Sequence, residues 1–128
     1  MGNVTKNISR HELECKCNKC NVRIQDHELV IEVVQHVCDH FSEYHGSSIR
    51  LEITSAARCR EHNLTVGSND ESQHIRCSAM DIKLFSDGHQ IPPREVYNYI
   101  DKTYNFGFGI GDYSSFTHVD TRNKKARW

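Results

Sequence analysis

The chain has 128 residues, 16 Lys+Arg against 17 Asp+Glu, and a formal net charge of −1. That balance excludes a nucleic-acid binder working by bulk positive charge and a disordered acidic tail. Hydrophobic residues make up 37% of it, and no apolar run approaches the roughly 20 residues of a membrane span. Six Cys and nine His stand out, because these side chains are the common borderline and soft metal ligands.

The length suits a single domain, 1–128, in which residues 1–25 form a polar, Cys-rich loop region packed on the rest. Met1-Gly2-Asn3-Val4-Thr5-Lys6 carries no apolar h-region, so synthesis in a cytosol without a signal peptide is expected. Thiols there stay reduced. Cys17-x-x-Cys20, with Cys15 just before it, has the spacing of half a zinc knuckle. No second CxxC or CxxH follows. Cys59 with His62 is the pair that could complete the knuckle in space. The alternatives at Cys15, Cys17, Cys20 and Cys59 are a packed turn, a disulfide and a second, structural zinc; half a motif favours the turn.

A helix is expected from Asp26, as N-cap, to Gly46. Val30, Val33, Val34, Val37 and Phe41 recur at the three-and-four spacing of one buried face. His36 and His40, one turn apart, have the spacing to chelate a metal, but the apolar stripe already claims the inward face and they are read as solvated surface residues. Ile49 to Ile53 alternates strictly and predicts a strand. Arg60 to Val66 predicts a short helical turn closed by Gly67. Ala79 to Leu84 alternates again. Ser86-Asp87-Gly88-His89 is turn chemistry. Pro92-Pro93 opens a helix with Val96, Ile100 and Tyr104 as its stripe. Two more strands, Phe106 to Gly111 and Ser115 to Thr121, follow around a turn at Asp112-Tyr113. The sum is an α+β domain: a small antiparallel sheet with helices packed on one face.

Two segments read as chemistry: Ser72-Gln73-His74-Ile75-Arg76-Cys77-Ser78-Ala79-Met80-Asp81, and Phe116-Thr117-His118-Val119-Asp120. Asp81 sits mid-strand on the face opposite Met80, Ile82 and Leu84, and a buried carboxylate needs a partner. Taken alone, that partner could be an arginine such as Arg58, and a strand histidine is more often a hydrogen-bonded residue than a ligand. Together, His74, Asp81 and His118 make a three-ligand set with one position open, the arrangement of a catalytic zinc.

These segments resemble the zinc D,D-peptidase family, which includes D-Ala-D-Ala carboxypeptidases and peptidoglycan endopeptidases and shares its fold with the hedgehog signalling domain. Ser72-x-His74-x6-Asp81 is similar to its SxHxxxxxxD motif. Ile53-Thr54-Ser55-Ala56-Ala57-Arg58-Cys59-Arg60-Glu61-His62-Asn63 resembles its ITSGYRCxxHN block. Gly107 to Gly111 with Phe116-Thr117-His118-Val119-Asp120 resembles its GIG…FxHxD ending. Glu14 to Cys17 resembles its Cys-rich opening, and Trp128 its closing region.

The resemblance implies one catalytic zinc on His74, Asp81 and His118. It implies hydrolysis, by a zinc-activated water, of bonds involving D-amino acids in bacterial peptidoglycan stems. Arg58 would bind a substrate carboxylate or the oxyanion, and Ser72 would orient the His74 loop or touch substrate. Asp120 is the first choice for the general base, Asp112 the second, and Asp120 could instead orient a ligand. The chain departs from the family in three places. Ser115 stands where relatives carry an acid, Ala57 replaces the tyrosine, and Cys77 takes a position that is commonly Gly. The expected setting is a monomeric, endolysin-like or phage-associated enzyme acting at the cell wall, with no nucleic-acid partner and no membrane insertion. The competing expectation is a non-catalytic, zinc-containing wall-binding or virion module of the same fold.

Overall fold

A computed structural model describes residues 3–17, 20–67 and 72–128, and all but the side chain of Arg60 within them. After a 3-10 turn at Arg10–Leu13, the elements run α1 (Leu29–His45), β1 (Ile49–Ser55), α2 (Arg60–Thr65), β2 (Ala79–Ser86) and β3 (His89–Gln90). Then come α3 (Pro93–Thr103), β4 (Gly109–Asp112), β5 (Thr117–Asp120) and β6 (Ala126–Arg127). The architecture is α+β, as the sequence predicts.

The strands form one sheet in the order β1-β2-β5-β4-β6, with β3 hairpinned onto β2. Every pairing is antiparallel except β4 with β6. The β2–β3 turn places Asp87 and Gly88 at φ 50° and 81°, the left-handed pair that a two-residue hairpin requires. Helices α1 and α3 lie on one face, α1 against β1 and β2 and α3 against β4 and β5.

The apolar stripe of α1 is the backbone of the core. Val30, Ile31, Val33, Val34, Val37, Cys38 and Phe41 are all buried against Leu51, Ile53, Met80, Ile82 and Leu84. Each such side chain contributes about 1.5–3 kcal/mol of burial. The helix starts later than the sequence suggests. Its N-cap is Glu28, because Asp26 is drawn into ion pairs with Arg10 (2.6 Å) and Arg23 (2.9 Å) instead of capping. Its end is as expected, at Gly46 with φ 66°.

His36 and His40 are not simply solvated. His40 stacks on Tyr99 of α3 with ring centroids 3.6 Å apart, and Tyr99 Oη lies 2.8 Å from His36 Nε2. They form an aromatic clasp between the two helices. Tyr104, expected in the buried stripe of α3, is its half-buried C-cap. The strand expected from Phe106 begins only at Gly109, because Phe108 takes φ 65° and breaks the extended run.

Strand β6 was not predicted. Arg127 fixes it: its guanidinium bonds Asp101 at 2.6 Å and donates to the carbonyls of Phe108, Tyr104, Gly107 and Ala126. The terminal Trp128 is thereby laid against the face of the sheet that the helices leave open.

Candidate active site

Alternation puts the chemistry on that open face. On β2, Met80, Ile82 and Leu84 point at the helices, so Ala79 and Asp81 point away. On β5, Thr117 donates to the Pro93 carbonyl of α3 (3.1 Å), so His118 and Asp120 point away too. Register then aligns them. Asp81 pairs with His118, which pairs with Gly111; Ala79 pairs with Asp120, which pairs with Gly109.

The glycines make room for this row. A methyl group at Gly109 would run into the Asp120 carboxylate and Arg122, and one at Gly111 would meet the Trp128 indole at 2.6 Å and Tyr113 at 2.8 Å. Thus Gly109-Ile110-Gly111 is a strand whose helix side is apolar and whose site side has no side chain of its own, so that neighbouring side chains lie directly on its backbone.

His74 arrives from the loop before β2. Its backbone N–H donates to Ser72 Oγ (3.2 Å), and its carbonyl accepts from Arg58 N–H (3.0 Å). Its Nδ1 lies 2.6 Å from the Ala56 carbonyl, which turns Nε2 toward Asp81 Oδ2 at 3.3 Å. On the other side, His118 Nδ1 lies 2.8 Å from Asp81 Oδ1. The three ligand atoms are within 4.8 Å of one another, and the residues are 4%, 7% and 8% exposed. Burial pushes the Asp81 carboxyl up, but the hydrogen bonds to His118 and His74 outweigh it and bring it down to about 2. Burial likewise lowers His118, and its bonds to Asp120 and Asp81 overcome that and raise it.

This donor set fits a zinc ion. Two nitrogens and a carboxylate converge from different chain segments, and a backbone carbonyl fixes the orientation of one ring, the usual support of a metal-bound histidine.

Asp120 is fully buried. Its Oδ2 lies 2.7 Å from His118 Nε2, and both its oxygens accept from Arg122, at 2.8 and 2.7 Å. Burial raises its carboxyl, and the Arg122 and His118 bonds hold it well below the usual range. The geometry suits a carboxylate that orients the His118 ring. Asp112 is not brought to the site. It faces α3, where it pairs with Arg94, and it does not line the cavity above the ligands.

That cavity measures about 460 Å³. Its walls carry Arg58, Ser72, Gln73, Tyr113, Arg122 and Trp128 around the three ligands. Arg58 is held by Ser55 Oγ and Asn63 Oδ1, both at 3.2 Å, with Nη2 3.9 Å from Asp81 Oδ2. Tyr113 Oη accepts from Trp128 Nε1 (2.8 Å), which leaves its own proton for a ligand. Trp128 stands 5.1 Å from the His118 ring, and Arg122 lies over its indole.

Sequence reasoning passed over Asn63, Tyr113 and Arg122. Only Arg122 left a signal, a cation two places after a strand carboxylate and so on its face. Cys77, commonly Gly in the family, takes φ 58°, which explains that preference. It belongs to neither group of potential metal ligands among the described residues.

A buried His–Asp–His set at the floor of an open, polar cavity is an arrangement that suits a metal-dependent hydrolase. The profile of the Peptidase M15 family matches residues 6–120, and the chain belongs to that family of zinc-dependent peptidases. No curated protein and no solved structure matches the chain significantly.

Proposed function

We propose that this chain is a zinc-dependent peptidoglycan peptidase that hydrolyses stem-peptide bonds involving D-amino acids. The observation that carries the reading is the ligand trio on the floor of a cavity whose wall also carries the Arg58 guanidinium. A wall stem peptide has free carboxylates, and arginine pairs with them in a planar, two-pronged geometry.

Zinc held by His74, Asp81 and His118 would supply Lewis-acid polarisation of a carbonyl and acidify a water to a pKa of about 7. The remaining roles fall to the protein. Asp120, clamped by Arg122, holds the His118 ring in register. The Ala56 carbonyl does the same for His74. Arg58, only 13% exposed and next to Asp81, receives a carboxylate or the negative charge that develops on the carbonyl oxygen. Tyr113 donates its phenolic proton to substrate, and the Ser72 hydroxyl holds the His74 loop.

One observation favours the second reading, a wall-binding module without turnover. Among the described residues lining the cavity, Asp81 is the only carboxylate, so none is left over to serve as base. Digestion of purified peptidoglycan, with and without chelator, separates the two by mass spectrometry of the fragments. New peptide ends that vanish with chelator support the peptidase, and their identity distinguishes carboxypeptidase from endopeptidase. Wall binding with no cleavage across several wall chemistries, at full zinc occupancy, overturns it.

A further inference from the structure

We propose that Cys15, Cys17, Cys20 and Cys59 hold a structural zinc ion that staples the N-terminal segment to the turn carrying Arg58. The sequence offers half a knuckle, and the fold supplies the rest. Residues 13–15 and 22–24 run as a short antiparallel ladder, with Cys15 N–H donating to the Val22 carbonyl (2.8 Å) and Ile24 N–H to the Leu13 carbonyl (2.9 Å). The connection between these strands bears Cys17 and Cys20. Cys59, 44 positions from Cys15, is the N-cap residue of α2 and is brought against them.

The four sulfurs are gathered into one compact group. Cys15 and Cys59 Sγ are 3.8 Å apart, Cys17 and Cys59 3.8 Å, Cys17 and Cys20 3.4 Å, and all four lie within 4.8 Å of one another. Zinc–sulfur bonds of about 2.3 Å at tetrahedral angles set sulfur–sulfur edges of about 3.8 Å. Disulfide pairing would draw sulfurs together in twos and leave the others aside; here Cys59 Sγ has both Cys15 and Cys17 Sγ at 3.8 Å, and no pair stands apart from the rest. A multi-iron cluster would spread its thiolates over several metals, wider than this span allows.

Two backbone N–H groups already point at these sulfurs. Cys59 N–H donates to Cys15 Sγ and His62 N–H to Cys59 Sγ, each at 3.4 Å. Such bonds stabilise thiolate ligands once zinc has displaced the thiol protons to solvent. His62, the other candidate partner, contributes its backbone and not its ring. With four protein ligands the site is closed, which makes it structural. Its place in the fold gives it a task. Cys59 adjoins Arg58, whose backbone bonds the His74 carbonyl, so the staple braces the turn that presents the cavity's guanidinium.

The test uses the full chain purified under reducing conditions with zinc. Metal analysis is expected to find about two zinc ions per chain in the wild type and about one in both H118A and C20S. With cobalt in place of zinc, a sulfur-to-cobalt charge-transfer band is expected in the wild type and in H118A, and is lost in C20S. Thiol-reagent titration of native wild-type protein should find these cysteines protected until a chelator is added, a reading that needs no variant to fold. A zinc-free H118A without the band overturns the proposal, as does a wild-type mass two hydrogens light from a disulfide among these cysteines. None of these readings depends on hydrolysis, so failure of the peptidase assignment leaves them standing.

Discussion

The two ligand-rich clusters are built in opposite ways. His74, Asp81 and His118 stand on or beside central strands, buried, with mixed nitrogen and oxygen donors and an open cavity above. The four cysteines stand on a short hairpin and a helix start at the periphery, all sulfur, with Cys20 exposed. Rigid strands hold donors in place while leaving one position for substrate. Loops cannot hold a geometry alone, so donors there gain order from closing around an ion. The contrast is between donors fixed by strands and donors gathered from a hairpin and a helix start.

The largest expected effect comes from breaking the first cluster. H118A should lose catalytic zinc and reduce muropeptide hydrolysis to background while its circular dichroism stays native; undiminished turnover would remove His118 from the site.

D120N sharpens the division of labour around that cluster. Loss of the orienting carboxylate should weaken metal affinity or turnover by about 10–100-fold, as for other outer partners of metal ligands, measured by chelator competition and kcat. Abolished turnover at full zinc occupancy would instead make Asp120 the base.

G111A probes the close packing over the site face of β4. The added methyl must displace Trp128 or Tyr113, and overpacking of this kind costs about 1–3 kcal/mol, readable as a lowered denaturation midpoint. Quenched or shifted emission from Trp128, the single tryptophan, would report the same displacement.

The smallest effect lies at the base of the cysteine hairpin. The Arg10 and Arg23 guanidiniums bring the Asp26 carboxyl down to about 2. A depressed carboxyl stabilises the fold above its unfolded value of about 3.9 and loses that contribution as pH falls toward 2. D26N should therefore show a slightly lower Tm than wild type at neutral pH, with the gap closing between pH 4 and pH 2. A gap that does not narrow at all between pH 4 and pH 2 would show that the Asp26 ion pairs are not its source.

Much of this architecture is legible in the residues. The valine stripe announces α1, strict alternation announces β1 and β2, and the spacing of His74, Asp81, His118 and Asp120 announces a metal site. What stays hidden has a common physical cause. Strand β6 has two residues and no period to detect, and its position rests on backbone pairing with β4 and on one arginine satisfying distant carbonyls. Tyr113 and Arg122 become site residues only because register lays β4 beside β5. Asp26 looks like a cap until Arg10 and Arg23 draw it away. His36 and His40 look like surface until Tyr99 closes on them.

The sequence by itself therefore determined the class of chemistry, because ligand identity and strand periodicity are local properties that fix which side chains share a face. The tertiary structure alone decided how those side chains are employed. It turned Asp120 toward His118 and away from solvent, sent Asp112 to the helix side, and joined Cys59 to three cysteines more than 38 positions away. Partnership across such distances depends on sheet register and loop path, which are set by packing of the whole chain and appear in no local pattern.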